Sequence, residues 1–165
     1  MAEERKTAII TDSSCDLSDE QLNEHHIHMI SLRIVCQDAE YRDRTELSQE
    51  RLYALLQTEL PKTSLPLPED VSTLYDGLVA DGVTDVVHVS ISSGLSGTYN
   101  MVRMIAEDYK SKMNIRVVDS RTLSTGLGAL VLEAAEALEA GADPDTAVKK
   151  ALNARASQLG MRPSR

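Results

Sequence analysis

Short apolar runs alternate along this chain with longer stretches in which aliphatic residues recur every three or four positions. Thr7-Ala8-Ile9-Ile10, Val86-Val87-His88-Val89 and Ile115-Arg116-Val117-Val118 are brief and bounded by polar residues. That pattern predicts buried strands. Ile30-Ser31-Leu32-Arg33-Ile34-Val35 alternates loosely and reads as a further strand. Between the strands lie helical patterns. Ser18-Asp19-Glu20-Gln21-Leu22 opens a short helix with acids in its first turn. Residues 47–59 carry a stripe of Leu52, Leu55, Leu56 and Leu60, with Ser48 as N-cap. Residues 69–80 turn Leu74, Leu78 and Val79 inward, and a helix over 97–110 follows the central strand.

Residues 127–140 are rich in Ala and Leu and stop at Gly141. A last helix starts at Asp143-Pro144, acid as N-cap and proline at the first position, and runs to about residue 158. Pro61, Pro66 and Pro68 keep the segment around Thr63-Ser64 out of any helix. Residues 37–45 read as a loop or small hairpin. Strands alternating with helices of this length predict an α/β fold, a parallel sheet with helices on both faces.

Composition narrows the picture. A chain of 165 residues with 42% hydrophobic and 26% charged residues is one globular unit, residues 1–165, with 159–165 a frayed tail lacking core pattern. Phe and Trp are absent, so the core must be aliphatic and little is left to stack nucleic-acid bases. A net charge of −9 argues against nucleic acid or an anionic membrane surface as partner. Cys15 and Cys36 stand far apart and read as free thiols in a reducing compartment. The charged start, Met1 to Lys6, leads into no secretory or membrane-spanning run, so a cytoplasmic location is expected.

The candidate chemistry sits where strands end: Thr11-Asp12-Ser13-Ser14, Ser90 to Thr98, and Asp119-Ser120 with Ser124-Thr125-Gly126. In open parallel sheets ligands sit beyond the carboxyl ends of the strands. Hydroxyls and backbone N–H groups gathered there suit a carboxylate or phosphate. The same residues also serve as ordinary helix caps and turn closers. Thr63-Ser64, in its proline-held segment, adds a fourth hydroxyl pair.

Ile10-Thr11-Asp12-Ser13-Ser14-Cys15-Asp16-Leu17, Lys62-Thr63-Ser64-Leu65-Pro66, Ile91 to Tyr99 and Val117-Val118-Asp119-Ser120 resemble, in order and spacing, the DegV family. Tyr41-Arg42-Asp43 and Gly126-Leu127-Gly128 also look like family positions, and the resemblance covers roughly residues 6–155. It implies a non-enzymatic carrier: one long-chain fatty acid is held, and a separate ATP-dependent fatty acid kinase phosphorylates its carboxylate. By position, Thr63 and Ser93 match the family's carboxylate-binding hydroxyls. Ser64, Gly94 and Ser96 would shape the pocket, and Asp12 and Ser13 would lie near the head group. No catalytic residue, metal or cofactor beyond the lipid is implied.

Relatives have a second domain with a Gly-Gly-Arg-type segment, which this sequence lacks; the chain thus reads as a fragment or a shortened relative. The apolar half-groove left without that domain predicts self-association, exposed apolar patches, or both. Cys36-Gln37-Asp38-Ala39-Glu40 replaces a glycine-containing turn. Other readings remain: an interaction or oligomerisation module that binds no lipid, a serine hydrolase built on Ser96 with His88 on the adjoining strand, or a nucleotide-binding domain, although GxGxxG is absent. His25, His26 and His28 invite a metal, but their spacing reads better as solvated loop residues. His88 reads as a satisfied core or edge histidine.

Overall fold

A computed structural model describes residues 4–160. Four parallel strands form the main sheet: Thr7–Asp12 (β1), Ile27–Ile30 (β2), Asp85–Ser90 (β6) and Asn114–Asp119 (β7), in the order β2-β1-β6-β7. Three short strands, Arg33–Val35 (β3), Glu40–Arg42 (β4) and Lys62–Ser64 (β5), make a second, antiparallel sheet in the order β4-β3-β5. The helices are Asp19–Glu24 (α1), Gln49–Leu56 (α2), Pro68–Ala80 (α3), Thr98–Glu107 (α4), Thr125–Glu139 (α5) and Pro144–Gln158 (α6).

The main sheet is buried on both faces, as alternation along its strands requires. Ile9, Val87, Val89 and Val118 face one way, into a core with Leu127, Leu130 and Val131 of α5 and Ala147 and Ala151 of α6. Ala8, Ile10 and Val86 face the other, against Val71, Tyr75 and Leu78 of α3 and Val102 of α4. Fully burying a Leu- or Val-sized side chain contributes about 2 kcal/mol, so these two layers dominate the fold. The expected parallel sheet with helices on both faces is what the chain forms.

One predicted strand is instead two. Residues 30–35 do not continue along one sheet: β2 ends at Ile30, opposite Asp12, and β3 begins at Arg33 in the small sheet. Leu32 donates its N–H to the Ser13 hydroxyl at 3.0 Å and Ser31 bonds the Thr45 hydroxyl at 2.8 Å. These side chains satisfy backbone and hydroxyl groups where β1 has run out of ladder, and the chain turns away.

The hairpin expected over 37–45 is present as β3–β4, and Cys36 N–H closes its turn on the Ala39 carbonyl at 2.8 Å. Thr63-Ser64 lies in strand β5 rather than an irregular loop. The helix expected over 47–59 spans only Gln49–Leu56, with Ser48 as N-cap; Leu60 falls beyond it and is 88% exposed. Asp143 and Pro144 start α6 as the sequence predicts. Of the tail expected to fray, Leu159 and Gly160 close α6, and 161–165 lie outside the described residues. Both cysteines are free and buried. Among the described residues no helix is long and apolar enough to cross a membrane.

Candidate functional site

β1 and β6 lie side by side at the centre of the main sheet, and the chain leaves them in opposite directions, to β2 and to β7. This reversal opens a crevice beyond their carboxyl ends. Asp12 closes its floor. One carboxylate oxygen accepts from Ile91 N–H at 2.8 Å; the other accepts from the Ser14 amide at 3.1 Å and from the Ser14 hydroxyl. Burial pushes its carboxyl above the ordinary range, against the pull of these hydrogen bonds and with the help of nearby Asp43. Asp12 is thus a fully satisfied clamp beneath the crevice. Ser13 is likewise buried, its hydroxyl accepting from Leu32 N–H.

Above the clamp is a cavity of about 450 Å³. Its apolar wall is Leu32, Leu65, Ile91, Leu95 and Leu123; its polar groups come from Ser14, Asp43, Thr63, Ser64 and Ser96. Pairing of β5 with β3 sets Thr63 opposite Ile34, and Arg33 fixes the segment by donating Nε–H to the Leu65 carbonyl at 2.7 Å and an Nη–H to Ser64 Oγ at 3.4 Å. The Thr63 hydroxyl is exposed and makes no hydrogen bond with the described residues. Ser96 Oγ shares a hydrogen bond with Thr98 Oγ1 at 2.7 Å and accepts from Thr98 N–H at 3.2 Å, just before α4. Gly97 packs close to Leu65: a Cβ there would stand 3.3 Å from a Leu65 methyl. Asp43 was no candidate from sequence; burial raises its carboxyl, opposed by the Ser13 hydroxyl and the Arg44 charge.

The structure brings Thr63, Ser64 and Ser96 to this cavity, with Asp12 and Ser13 below it. Ser93 and Gly94 lie outside its lining. The Ser93 hydroxyl donates to Asp119 Oδ2 at 2.5 Å and its N–H to Asp119 Oδ1 at 3.1 Å; Arg121 N–H adds a third bond to Oδ1 at 3.0 Å. Partial burial raises the Asp119 carboxyl, but the Ser93 hydroxyl and these amides outweigh it and hold the group below its ordinary value. The strand-end pair Asp119-Ser120 signalled chemistry here; its partner across 26 residues did not show in the sequence.

A broader, polar cleft of about 870 Å³ adjoins the cavity and shares Ser14, Asp43 and Leu123 with it. Arg44 lines it, paired with Asp19 at 2.9 Å. Ser124, on its wall, holds φ +59°, a region that favours glycine, and anchors through N–H to the Ser14 carbonyl at 2.7 Å. Close by, α5 passes so near the turn after β1 that a Cβ on Gly128 would meet the Cys15 carbonyl oxygen at 2.5 Å.

Ser96 and His88 form no hydrolase pair. His88 is fully buried on central strand β6, not at an edge, and its Nδ1 bonds Tyr75 Oη at 2.8 Å. Its Nε2 has no partner among the described residues, so the ring is only half satisfied, and burial lowers its pKa to about 3. The other histidines are not all solvated loop residues. His25 closes α1 and pairs with Glu139 at 2.6 Å, whereas His28 is half-buried on β2. The reason is register: β2 starts at Ile27, so His28 is its second residue and is carried into the sheet. Among the described residues no group of three or more His, Cys, Asp or Glu is placed to hold a metal ion.

Comparison with known proteins gives the family and the fold. Residues 6–161 match the family described as "Uncharacterised protein, DegV family". A DegV domain-containing protein of Clostridium acetobutylicum is 38% identical over 144 residues, 87% of this chain and 51% of its own length. One from Staphylococcus aureus is 34% identical over 146 residues, 88% and 51% of the two chains. Among solved structures, DegV, a fatty acid binding protein from Bacillus subtilis, superposes with a TM-score of 0.84 at 28% identity, covering 90% of this chain and 53% of its own. A stearic acid-binding protein from Eubacterium ventriosum gives 0.79 at 29% identity, covering 88% and 52%. This chain spans about half the length of the relatives it matches, and it belongs to the DegV family.

Proposed function

We propose that this chain binds a long-chain fatty acid, with the carboxylate at the hydroxyl groups of the β1/β6 crevice and the start of the tail against the leucine-rich wall. The observation that carries this is the cavity itself. Free and weakly engaged hydroxyls of Thr63 and Ser64 face an apolar wall of Leu32, Leu65, Ile91, Leu95 and Leu123 within about 450 Å³. That volume lies in the range of small-molecule sites. Thr63 is the principal donor, Ser93 joins it from the adjoining turn, and Ser64, Gly94 and Ser96 shape the ground between them. Asp12 and Ser13 hold the floor. Each buried methylene adds about 0.8 kcal/mol, so the tail supplies most of the affinity and the hydroxyls supply the orientation.

Neutral donors leave the carboxylate its charge. A bound acid can therefore act as nucleophile towards the terminal phosphorus of ATP on a partner kinase: a carboxylate oxygen–phosphorus bond forms, the bond to ADP breaks, and an acyl phosphate and ADP result. In this reading the chain presents the acid and catalyses nothing itself. Leu95 and Leu123, exposed at the cavity rim, leave an apolar margin that a second copy of this chain covers. The test is mass spectrometry of lipid co-purifying with the protein, followed by titration of delipidated protein with oleate and, in parallel, light scattering. A long-chain acid in the purified protein and saturable oleate binding support the reading. No lipid and no binding overturn it in favour of a module that binds no lipid.

A further inference from the structure

The Ser93–Asp119 pair limits what Ser93 can offer. A serine has one O–H and one N–H, and both are given to the same carboxylate, at 2.5 and 3.1 Å. With its proton so placed, Ser93 Oγ turns only lone pairs outward, and these repel an acid. Asp119 also takes Arg121 N–H, so three donors of the chain itself already converge on this partly exposed carboxylate. We propose that Asp119 is an internal competitor for the ligand carboxylate, holding the donors of Ser93 until an incoming acid takes the hydroxyl, and thereby setting how tightly this chain grips a carboxylate. This rests on the fatty-acid reading above.

The geometry says which partner moves. Asp119 is the last residue of β7, in register opposite Ser90, and its own carbonyl is held by Arg155 at 2.9 Å. Its backbone is fixed. Ser93 lies on the exposed turn beyond β6, free of the ladder, and one side-chain torsion carries its hydroxyl away from Asp119. Leaving costs a charge-assisted hydrogen bond, and the charge of Asp119 stays nearby to oppose a second carboxylate. Both effects weaken acid binding and leave a neutral head group untouched.

The experiment compares wild type, Asp119→Asn and the double variant Ser93→Ala/Asp119→Asn, titrated by calorimetry with oleate and with oleyl alcohol. Asp119→Asn should bind oleate about fivefold to tenfold more tightly, because a neutral acceptor holds the Ser93 proton less well. Oleyl alcohol should bind both proteins alike, and in the double variant the gain for oleate should fall to the smaller part that loss of the Asp119 charge supplies by itself. Asp119→Ser, which withdraws the carboxylate, should shift oleate in the same direction, guarding against an accident of the asparagine. Oleate binding by Asp119→Asn where wild type shows none is the same competition in its strongest form. Wild-type binding that Asp119→Asn leaves unchanged or weakens overturns the competitor while the fatty-acid reading stands; equal gains for acid and alcohol overturn it as well. No oleate binding by any variant overturns both.

Discussion

Asp12 and Asp119 are the same residue at the same place, the final position of a parallel strand, yet they do opposite things. β1 is an interior strand, flanked by β2 and β6, so Asp12 is enclosed and reaches across to Ile91. β7 is an edge strand, so Asp119 stays half-exposed and reaches only to the turn beside it. Enclosure raises the first carboxyl; hydrogen bonds outweigh partial burial and lower the second. The strand-end acid of the sheet interior is thus an enclosed clamp, and the one at the sheet edge is a partly exposed contact. Sheet order, not the residue, assigns the role.

The largest effect is expected at the clamp. Asp12→Ala orphans the buried N–H of Ile91 and frees that of Ser14, and should cost about 2–4 kcal/mol in urea unfolding. Asp119→Ala, with its donors open to water, should cost less than about 1 kcal/mol. Equal losses would break the comparison. Thr63→Ala removes a donor that no internal carboxylate holds, and should weaken oleate binding by about 1.5–3 kcal/mol in calorimetry. Ser93→Ala should weaken it less, since its proton is already engaged. Gly128→Ala sharpens the picture of the floor: its Cβ against the Cys15 carbonyl forces a backbone shift worth about 1–3 kcal/mol of stability, read by thermal unfolding.

The smallest effect is in acid titration. Carboxyl NMR should place Asp12 above and Asp119 below the usual aspartate value. For Asp12 the folded pKa is raised, so its contribution is present at acid pH and lost as pH rises through the folded value. For Asp119 it is lowered, so its contribution is present above the unfolded value and lost as pH falls through the folded one. Stability–pH curves of Asp12→Asn and Asp119→Asn should therefore bend in opposite directions; parallel curves would show that enclosure does not separate the two groups.

Much of the architecture could be read along the chain. Strands β1, β6 and β7 are apolar runs, α6 announces itself through Asp143 and Pro144, and Ser48 caps α2. Ser96, after a strand end, and Thr63 and Ser64, in a proline-held segment, were legible as candidate hydroxyls and do share a cavity. Asp43 was not, because nothing local to Tyr41-Arg42-Asp43 says that the β4 hairpin folds back over the crevice. The break at Ser31 does not show in the sequence for a similar reason: it depends on Ser13, eighteen residues before it and just beyond the end of β1, taking the Leu32 N–H. In the sequence His88 is like any histidine in an apolar strand, and only the packing shows one nitrogen bonded to Tyr75 and the other without a partner among the described residues.

Local pattern by itself determined the succession of strands and helices and the aliphatic cores on two faces, since side-chain alternation, caps and proline act within a few residues; the family resemblance came from four motifs in order and spacing. Tertiary structure decided the division into two sheets, the enclosure of Asp12 and the capture of Ser93 by Asp119. Those outcomes depend on hydrogen bonds between groups 26 and 79 residues apart, whose meeting is set by sheet order and not by any neighbouring residue.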